Sequence, residues 1–373
     1  MPFFAALALA AMPSVLTMDE ALRLFRERGF DLLIAEAQVA AAEGDVTSAG
    51  AVPNPQLSGS VGHSFNYDPA GCSGCSANSW SVGLTDPAAL SDVLTGKRGL
   101  RVEVARAAAA AARLSRDDAL RTLSLQVRQA LLDAALQQAQ RDLARELAES
   151  TERTRSLNER RLQAGAISEA ELARAEVAAL QAQQVVDLAE QALRLGRLQI
   201  AFLLGSREPA ADFALDPELL DRAMPGEEPA LDVLAREALE KRPDLLAASA
   251  QEARAEAGLG LARRQRVPDI ALSAQYQQQG WGQNALQPPT LTFGVQLPLP
   301  IFYRQQGEIA RAQAELRWQS AAREKLRAQA LLDVQEARAA VDANRRLVER
   351  MRARLLERAR RTRDLVQVQY EKG

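Results

Sequence analysis

The chain has 373 residues, 47% of them hydrophobic and 25% charged, with a formal net charge of −2. That hydrophobic content supports a large buried interior, while the balanced charge excludes a basic nucleic-acid surface and an electrostatic hold on an anionic membrane. One histidine (His63) and two cysteines (Cys72, Cys75) argue against a resident metal centre, which ordinarily draws three or four N, S or O ligands from the protein.

In chain order, Phe3 to Met12 is an apolar run of about ten residues, too short to span a bilayer. It matches the hydrophobic core of a secretory signal, with Ala8-Leu9-Ala10 as the small-residue cleavage pattern. Only Met1 and Pro2 precede it, so the usual basic residues are missing, and either the true start lies upstream or the run is an apolar N-terminal helix. Residues 1–16 are assigned to this segment. No later stretch reaches about 18 uncharged apolar residues, so no spanning helix is expected.

Residues 17–204 form a first structural repeat. A helix ends at Val52-Pro53-Asn54-Pro55, where proline stops both helices and central strands. Leu57–Phe65 then alternates, with Leu57, Val61 and Phe65 on one face and Ser58, Ser60 and Ser64 on the other. Cys72-Ser-Gly-Cys75 follows in a Gly/Ser/Asn-rich loop. In an exported protein this reads as a small disulfide, with a redox or metal-sensing loop as the alternatives. Trp80–Leu84 is a second strand, with Trp80, Val82 and Leu84 against Ser79, Ser81 and Gly83.

A helix is predicted from about Gly99 to Leu162, roughly 95 Å at ~1.5 Å per residue. Its core marks are Leu120, Leu123, Val127, Leu131 and Ala134, then Leu143, Leu147, Ser150, Thr154 and Leu157. Gly165 can adopt the left-handed conformation that ends a helix, and Ser168 with Glu171 forms a capping box that starts the next. The hairpin would carry Ala166 and Ile167 at an exposed apex, either as an ordinary turn or as a docking tip. The next helix holds a 3-4 seam through Leu172, Ala175, Ala179, Ala182, Val186, Ala189, Leu193, Gly196, Ile200 and Leu203. Ala and Gly make up half of the seam, which favours close helix approach.

Residues 205–229, rich in Pro, Asp and Glu, read as a linker passing around the outside. Residues 230–373 then repeat the plan: Asp31-Leu32-Leu33 recurs as Asp244-Leu245-Leu246, and Val52-Pro53 as Val267-Pro268. Ile270–Gln277 presents Ile270, Leu272, Ala274 and Tyr276 on one face, and Leu291–Leu297 presents Leu291, Phe293, Val295 and Leu297. Pro268 precedes the third strand; Pro298 and Pro300 follow the fourth. The five prolines Pro53, Pro55, Pro268, Pro298 and Pro300 are expected to mark the junctions between helices and strands. A last helix runs from about Gln306 to Tyr370. The partner helix that follows the hairpin of the first repeat has no counterpart here, so a truncated product is expected.

Each strand has an apolar face and an uncharged polar face. Lipid outside and water inside produce that pattern, with aromatics near the interfaces; a soluble sheet covered by helices is the alternative. Four strands cannot close a membrane barrel, because open edges leave backbone groups unpaired in lipid. Two chains would give eight strands and three would give twelve. The helices alone would also suit a dimeric coiled-coil spacer.

The chain resembles the TolC-type outer-membrane efflux proteins. The resemblance rests on the duplicated plan, on Ala51-Val52-Pro53-Asn54-Pro55, on the hairpin Leu162–Leu172, and on Pro298-Leu299-Pro300-Ile301-Phe302-Tyr303-Arg304-Gln305-Gln306-Gly307. The last run is similar to the cobalt-zinc-cadmium resistance branch. The resemblance implies a mainly α fold with a small β part. Three copies would form a 12-stranded barrel in the outer membrane of a Gram-negative bacterium, continued by a helical coiled-coil tunnel through the periplasm. Leu57, Val61, Phe65, Trp80, Val82, Ile270, Leu272, Tyr276, Leu291, Phe293 and Val295 would face lipid. Gly165, Ala166, Ile167 and Ser168 would dock a periplasmic adaptor (membrane-fusion) protein, which bridges to an inner-membrane pump of the resistance-nodulation-division type. The implied function is a passive exit duct, with divalent heavy-metal ions as cargo and without cofactor or nucleic acid. The family's acidic gate residues lie on the helix missing here, and no lipid anchor is expected because neither cysteine is near the N-terminus.

An enzyme is disfavoured: there is no Gly-x-Ser-x-Gly elbow, no phosphate-binding loop and no Cys/His cluster, and Gly258-Leu-Gly260 sits in a helical stretch. A soluble periplasmic coiled-coil adaptor or scaffold is the competing function.

Overall fold

The computed structural model describes residues 13–65, 76–207, 213–220, 229–279 and 289–372. The apolar run Phe3–Met12 and the Cys72–Cys75 loop lie outside the described residues. In chain order the elements are β1 (Val15–Leu16), α1 (Met18–Arg28), α2 (Phe30–Gly50), β2 (Gln56–His63), β3 (Asn78–Asp86), α3 (Ala89–Thr95), α4 (Lys97–Gln163), α5 (Glu169–Leu203), β4 (Ala214–Leu215), a 3-10 turn (Pro217–Leu219), α6 (Leu231–Lys241), α7 (Pro243–Arg264), β5 (Ala271–Gln279), β6 (Thr290–Gln296), α8 (Gln306–Arg350), a π-helical turn (Met351–Leu355) and α9 (Leu356–Lys372).

The duplication is visible in these elements. The 11-residue helices α1 and α6 are followed by helices of 21 and 22 residues, then by a strand pair and a long helix. Thr17 and Glu20 form a capping box that starts α1, and Pro243 at the first turn of α7 sets its start. The last helix, expected to be continuous to Tyr370, is interrupted by the π-helical turn in a stretch without Gly or Pro.

Two compact units divide the chain: residues 1–38 with 115–228, and residues 39–114 with 229–373. In the first unit, Leu22 and Phe25 of α1, Val127 and Leu131 of α4, and Leu193 and Ile200 of α5 share one core. Leu16 and Leu215 join it through a parallel β1–β4 ladder. Val15 and Leu16, taken from sequence as the end of a signal segment, are therefore part of the folded unit. The expected outer linker also contributes inward: Phe213, Leu215 and Leu219 are buried. Their spacing follows a strand and then a turn, which a reading for Pro and acidic residues passed over.

All ten seam positions of α5 are buried or half-buried. On α4 the expected seam holds only as far as Ala134. Leu143, Leu147, Ser150, Thr154 and Leu157 are exposed, and the covered stripe runs instead through Ala144, Ala148, Thr151, Arg155, Asn158 and Leu162. The reason is steric. The Ala and Gly positions of the α5 seam admit a close neighbour, and against them α4 presents the small Ala144, Ala148 and Thr151 rather than leucine. At Gly196 an added Cβ would meet Gln137 of α4.

In the second unit, β2, β3, β5 and β6 form an antiparallel sheet in that order. α6 and α7 pack along α8. Arg242, between α6 and α7, donates to Asp244 and to Asp333 of α8, and both carboxylates hold its guanidinium pKa above the ordinary arginine value.

Candidate functional site

Residues directly opposite in neighbouring strands project to the same face. The register pairs Leu57 with Leu84 and Val61 with Trp80. It pairs Val82 with Tyr276 and Leu84 with Ala274, then Leu272 with Val295, Ala274 with Phe293 and Tyr276 with Leu291. The apolar sets of all four strands therefore share one face. Slipping any strand by one residue would scatter them.

Among the described residues that face has no cover. Val61 is 78% exposed and Phe293 77%, while Ser81 and Gly83 on the opposite face of β3 are buried. The Trp80 and Tyr276 rings lie 5.4 Å apart on the apolar side. The other face is a ladder of uncharged polar groups. Ser60 and Ser81 hydroxyls meet at 2.8 Å, the Gln275 amide donates to Ser81 Oγ at 2.9 Å, and Ser58 donates to the Gly83 carbonyl at 3.4 Å. Of the expected lipid-facing residues, two fall just outside strands. Phe65 lies beyond the end of β2, its ring 5.2 Å from His63, and Ile270 immediately precedes β5.

Pro53 and Pro55 lie between α2 and β2, Pro268 between α7 and β5, and Pro298 and Pro300 between β6 and α8. At each the chain passes between helical and extended backbone.

The hairpin between α4 and α5 is built by two capping devices. Gly165 takes φ +72°, with open space around its Cα, so the need is conformational rather than steric. The Ala166 N–H donates to the Arg161 carbonyl at 2.8 Å and the Gly165 N–H to Leu162 at 2.9 Å, the two bonds of a Schellman motif. Ser168 Oγ then accepts from the Glu171 N–H, and the Glu171 carboxylate accepts from the Ser168 N–H. Ala166 is exposed, but Ile167 is half-buried rather than displayed. Ile167 and Leu172 occupy the two positions of a hydrophobic staple flanking the cap, which is a local use for the isoleucine. Further along the hairpin, Arg145 of α4 pairs with Glu190 of α5 and holds that carboxyl below its ordinary pKa.

One feature of the second unit went unread in the sequence. The short helix α3 opens on the Asp86 carboxylate, which accepts from the Ala88, Ala89 and Leu90 N–H groups, and closes at Gly96 with φ +74°. Asp86-Pro87 and Gly96 are the start and stop signals that could have revealed it. Among the described residues no group of three or more His, Cys, Asp or Glu side chains is placed to hold a metal ion, and no helix is long and apolar enough to cross a membrane.

Comparison with known proteins agrees with this geometry. The cobalt-zinc-cadmium resistance protein CzcC of Cupriavidus metallidurans is 27% identical over 294 residues, which cover 79% of this chain and 65% of that protein. The chain thus spans slightly less than two-thirds of this curated relative. A crystal structure of a membrane protein from Pseudomonas aeruginosa superposes with a TM-score of 0.75 at 24% identity, covering 95% of this chain and 84% of that one. The structure of CusC gives a TM-score of 0.70 at 20% identity over 94% and 82% of the two chains. The outer membrane protein VceC of Vibrio cholerae gives 0.69 at 19% identity over 95% and 86%. A profile described as outer membrane efflux protein matches residues 21–206 and 234–373. With a mainly helical fold, a small sheet bearing an exposed apolar face, and a family match over most of its length, the chain belongs to the outer membrane efflux protein family.

Proposed function

We propose that this chain forms the outer-membrane exit duct of a tripartite efflux system, with no chemistry of its own. The observation that carries the reading is the four-stranded sheet, whose apolar residues share one uncovered face while Ser, Thr and Gln share the other. Lipid on one side and a water-filled lumen on the other suit that distribution. Leu57, Val61, Trp80, Val82, Leu272, Tyr276, Leu291, Phe293 and Val295 then face hydrocarbon.

β2 and β6 are the edges of the sheet, and an open edge in lipid costs several kcal/mol for each unpaired backbone group. Three copies joined edge to edge give a closed ring of 12 strands. A second surface supports self-association. Leu125, Leu132, Leu136, Leu143 and Leu147 of α4 are all exposed and recur at heptad-like intervals. An adaptor at the tip Gly165–Ser168 and an inner-membrane pump of the resistance-nodulation-division type complete the system. The cargo is divalent heavy-metal ions, on the strength of the relative's name. An uncharged polar lumen holds such ions weakly and lets them pass.

The test is complementation of a metal-sensitive strain lacking its own exit duct but carrying the cognate adaptor and pump. The expected result is cobalt, zinc and cadmium tolerance, with the protein in the outer-membrane fraction as a heat-dissociable trimer. Ala166→Glu should abolish tolerance without dissociating the trimer. A soluble monomer that gives no tolerance would overturn the reading.

A further inference from the structure

We infer that α3 is a membrane-interface element, which seats its Leu90, Val93 and Leu94 side in phospholipid at the rim of the barrel. The inference rests on the outer-membrane reading above and adds a lipid contact outside the strands. β3 leaves the sheet at Asp86, opposite Leu272 of β5, and β6 leaves at Gln296, opposite Ala271. α3 and residues 297–305 therefore emerge at the same end of the sheet.

α3 is turned inside out. Residues three and four apart share a side of a helix, so Leu90, Val93 and Leu94 lie on one side and Ser91, Asp92 and Thr95 on the other. The polar side is the buried one: Ser91 and Asp92 are 2% and 4% exposed, while Leu94 is 74% exposed. Ion pairs and hydrogen bonds fix this orientation. Lys97 and Ser91 both donate to Asp269, at 2.7 and 3.3 Å, and Arg101 grips the Asp92 carboxylate with two N–H groups. Rolling α3 to hide its leucines would break this set and strand charges in the interior. An element in water gains nothing from that arrangement; one against lipid does.

Lipid is the occupant because α3 follows β3 after two residues, at the end of the sheet where the apolar face of the proposed barrel stops. Inside the strand bounds the apolar residues span five positions each: 57–61, 80–84, 272–276 and 291–295. At ~3.3 Å per residue and a tilt of ~40°, that is roughly 10 Å of height. The hydrocarbon-facing band of such barrels is ~25 Å tall, so residues at the strand ends must extend it. Leu299, Ile301 and Phe302, all exposed, lie on the segment that leaves the sheet at the same end as α3. Their loop is pinned to α8 by the Tyr303 hydroxyl, which donates to Glu308 and accepts from the Gly307 N–H.

The test uses the full chain with Cys72→Ser and Cys75→Ser, reconstituted in phosphatidylethanolamine/phosphatidylglycerol vesicles. Nitroxide labels are placed singly at Leu94→Cys, at Val61→Cys on the sheet, and at Arg153→Cys as an aqueous reference. Collision with oxygen reports hydrocarbon, and collision with a water-soluble nickel chelate reports water. The oxygen-to-nickel ratio at Leu94 should exceed that at Arg153 several-fold. A ratio at Leu94 equal to the aqueous reference, with Val61 in lipid, would overturn the inference alone. Low collision with both reagents at Leu94 would assign the side to a second copy of the chain and equally overturn it. Aqueous ratios at both Leu94 and Val61 would overturn the membrane reading beneath it.

Discussion

The α4–α5 packing of the first unit and the sheet of the second use the same apolar residue types in opposite ways. Leu131 is 0% exposed and Ile200 1%, whereas Leu57 is 77% exposed. Between the helices small and aliphatic side chains are buried against one another, with a row of exposed leucines left on another side of α4. In the sheet the apolar face looks out and hydroxyls pair on the other side. The same residue types therefore follow opposite rules in the two regions, and in the proposed function that difference is the one between water and lipid.

This contrast can be broken from either side. Leu131→Asp places an unpaired charge in the helical core and should cost at least ~4 kcal/mol, seen as loss of the cooperative thermal transition in circular dichroism. Val61→Arg puts a charge on the exposed apolar face and, if that face meets lipid as proposed, should cost ~2–4 kcal/mol of insertion stability, read as loss of the heat-dissociable trimer while helical content persists. Ser60→Arg, one residue away on the polar face, should leave that trimer intact. Equal damage from Val61→Arg and Ser60→Arg would remove the distinction between the two faces.

Smaller effects sharpen the helical side. Ser168→Ala removes the oxygen that accepts the Glu171 N–H and should destabilise the hairpin by ~1 kcal/mol, measurable as faster amide exchange in the first turn of α5. Arg145→Ala removes a pair between two exposed side chains and should leave the thermal midpoint nearly unchanged. Screening by salt should erase even that difference in a thermal melt.

Much of this was legible in the sequence because it is periodic. Strand alternation placed Leu57, Val82, Tyr276 and Phe293, and the 3-4 spacing placed every seam position of α5. The α4 seam failed beyond Ala134 because leucine is the louder signal, while close packing against the Ala and Gly positions of the α5 seam favours Ala144 and Ala148. Leu215 was hidden among prolines and acids, since it is held by a ladder that pairs Ala214 and Leu215 with Val15 and Leu16, about two hundred residues distant. Asp86-Pro87 and Gly96 signal the existence of α3, but not which of its sides is buried. Its polar side faces in, so a rule that sends apolar residues inward assigns it backwards. Ile167 shows the converse, where an apparent display residue is largely accounted for by a local staple.

The central claim is that copies of this chain share their strands in a closed ring, and cysteine pairing between the sheet edges tests it most directly. In the Cys72→Ser, Cys75→Ser background, one cysteine is scanned along Gln56–His63 and another along Thr290–Gln296, with oxidation in isolated outer membranes. The account predicts that pairs in register give covalent dimers and trimers and nothing larger. A complete scan that yields only monomer would contradict it.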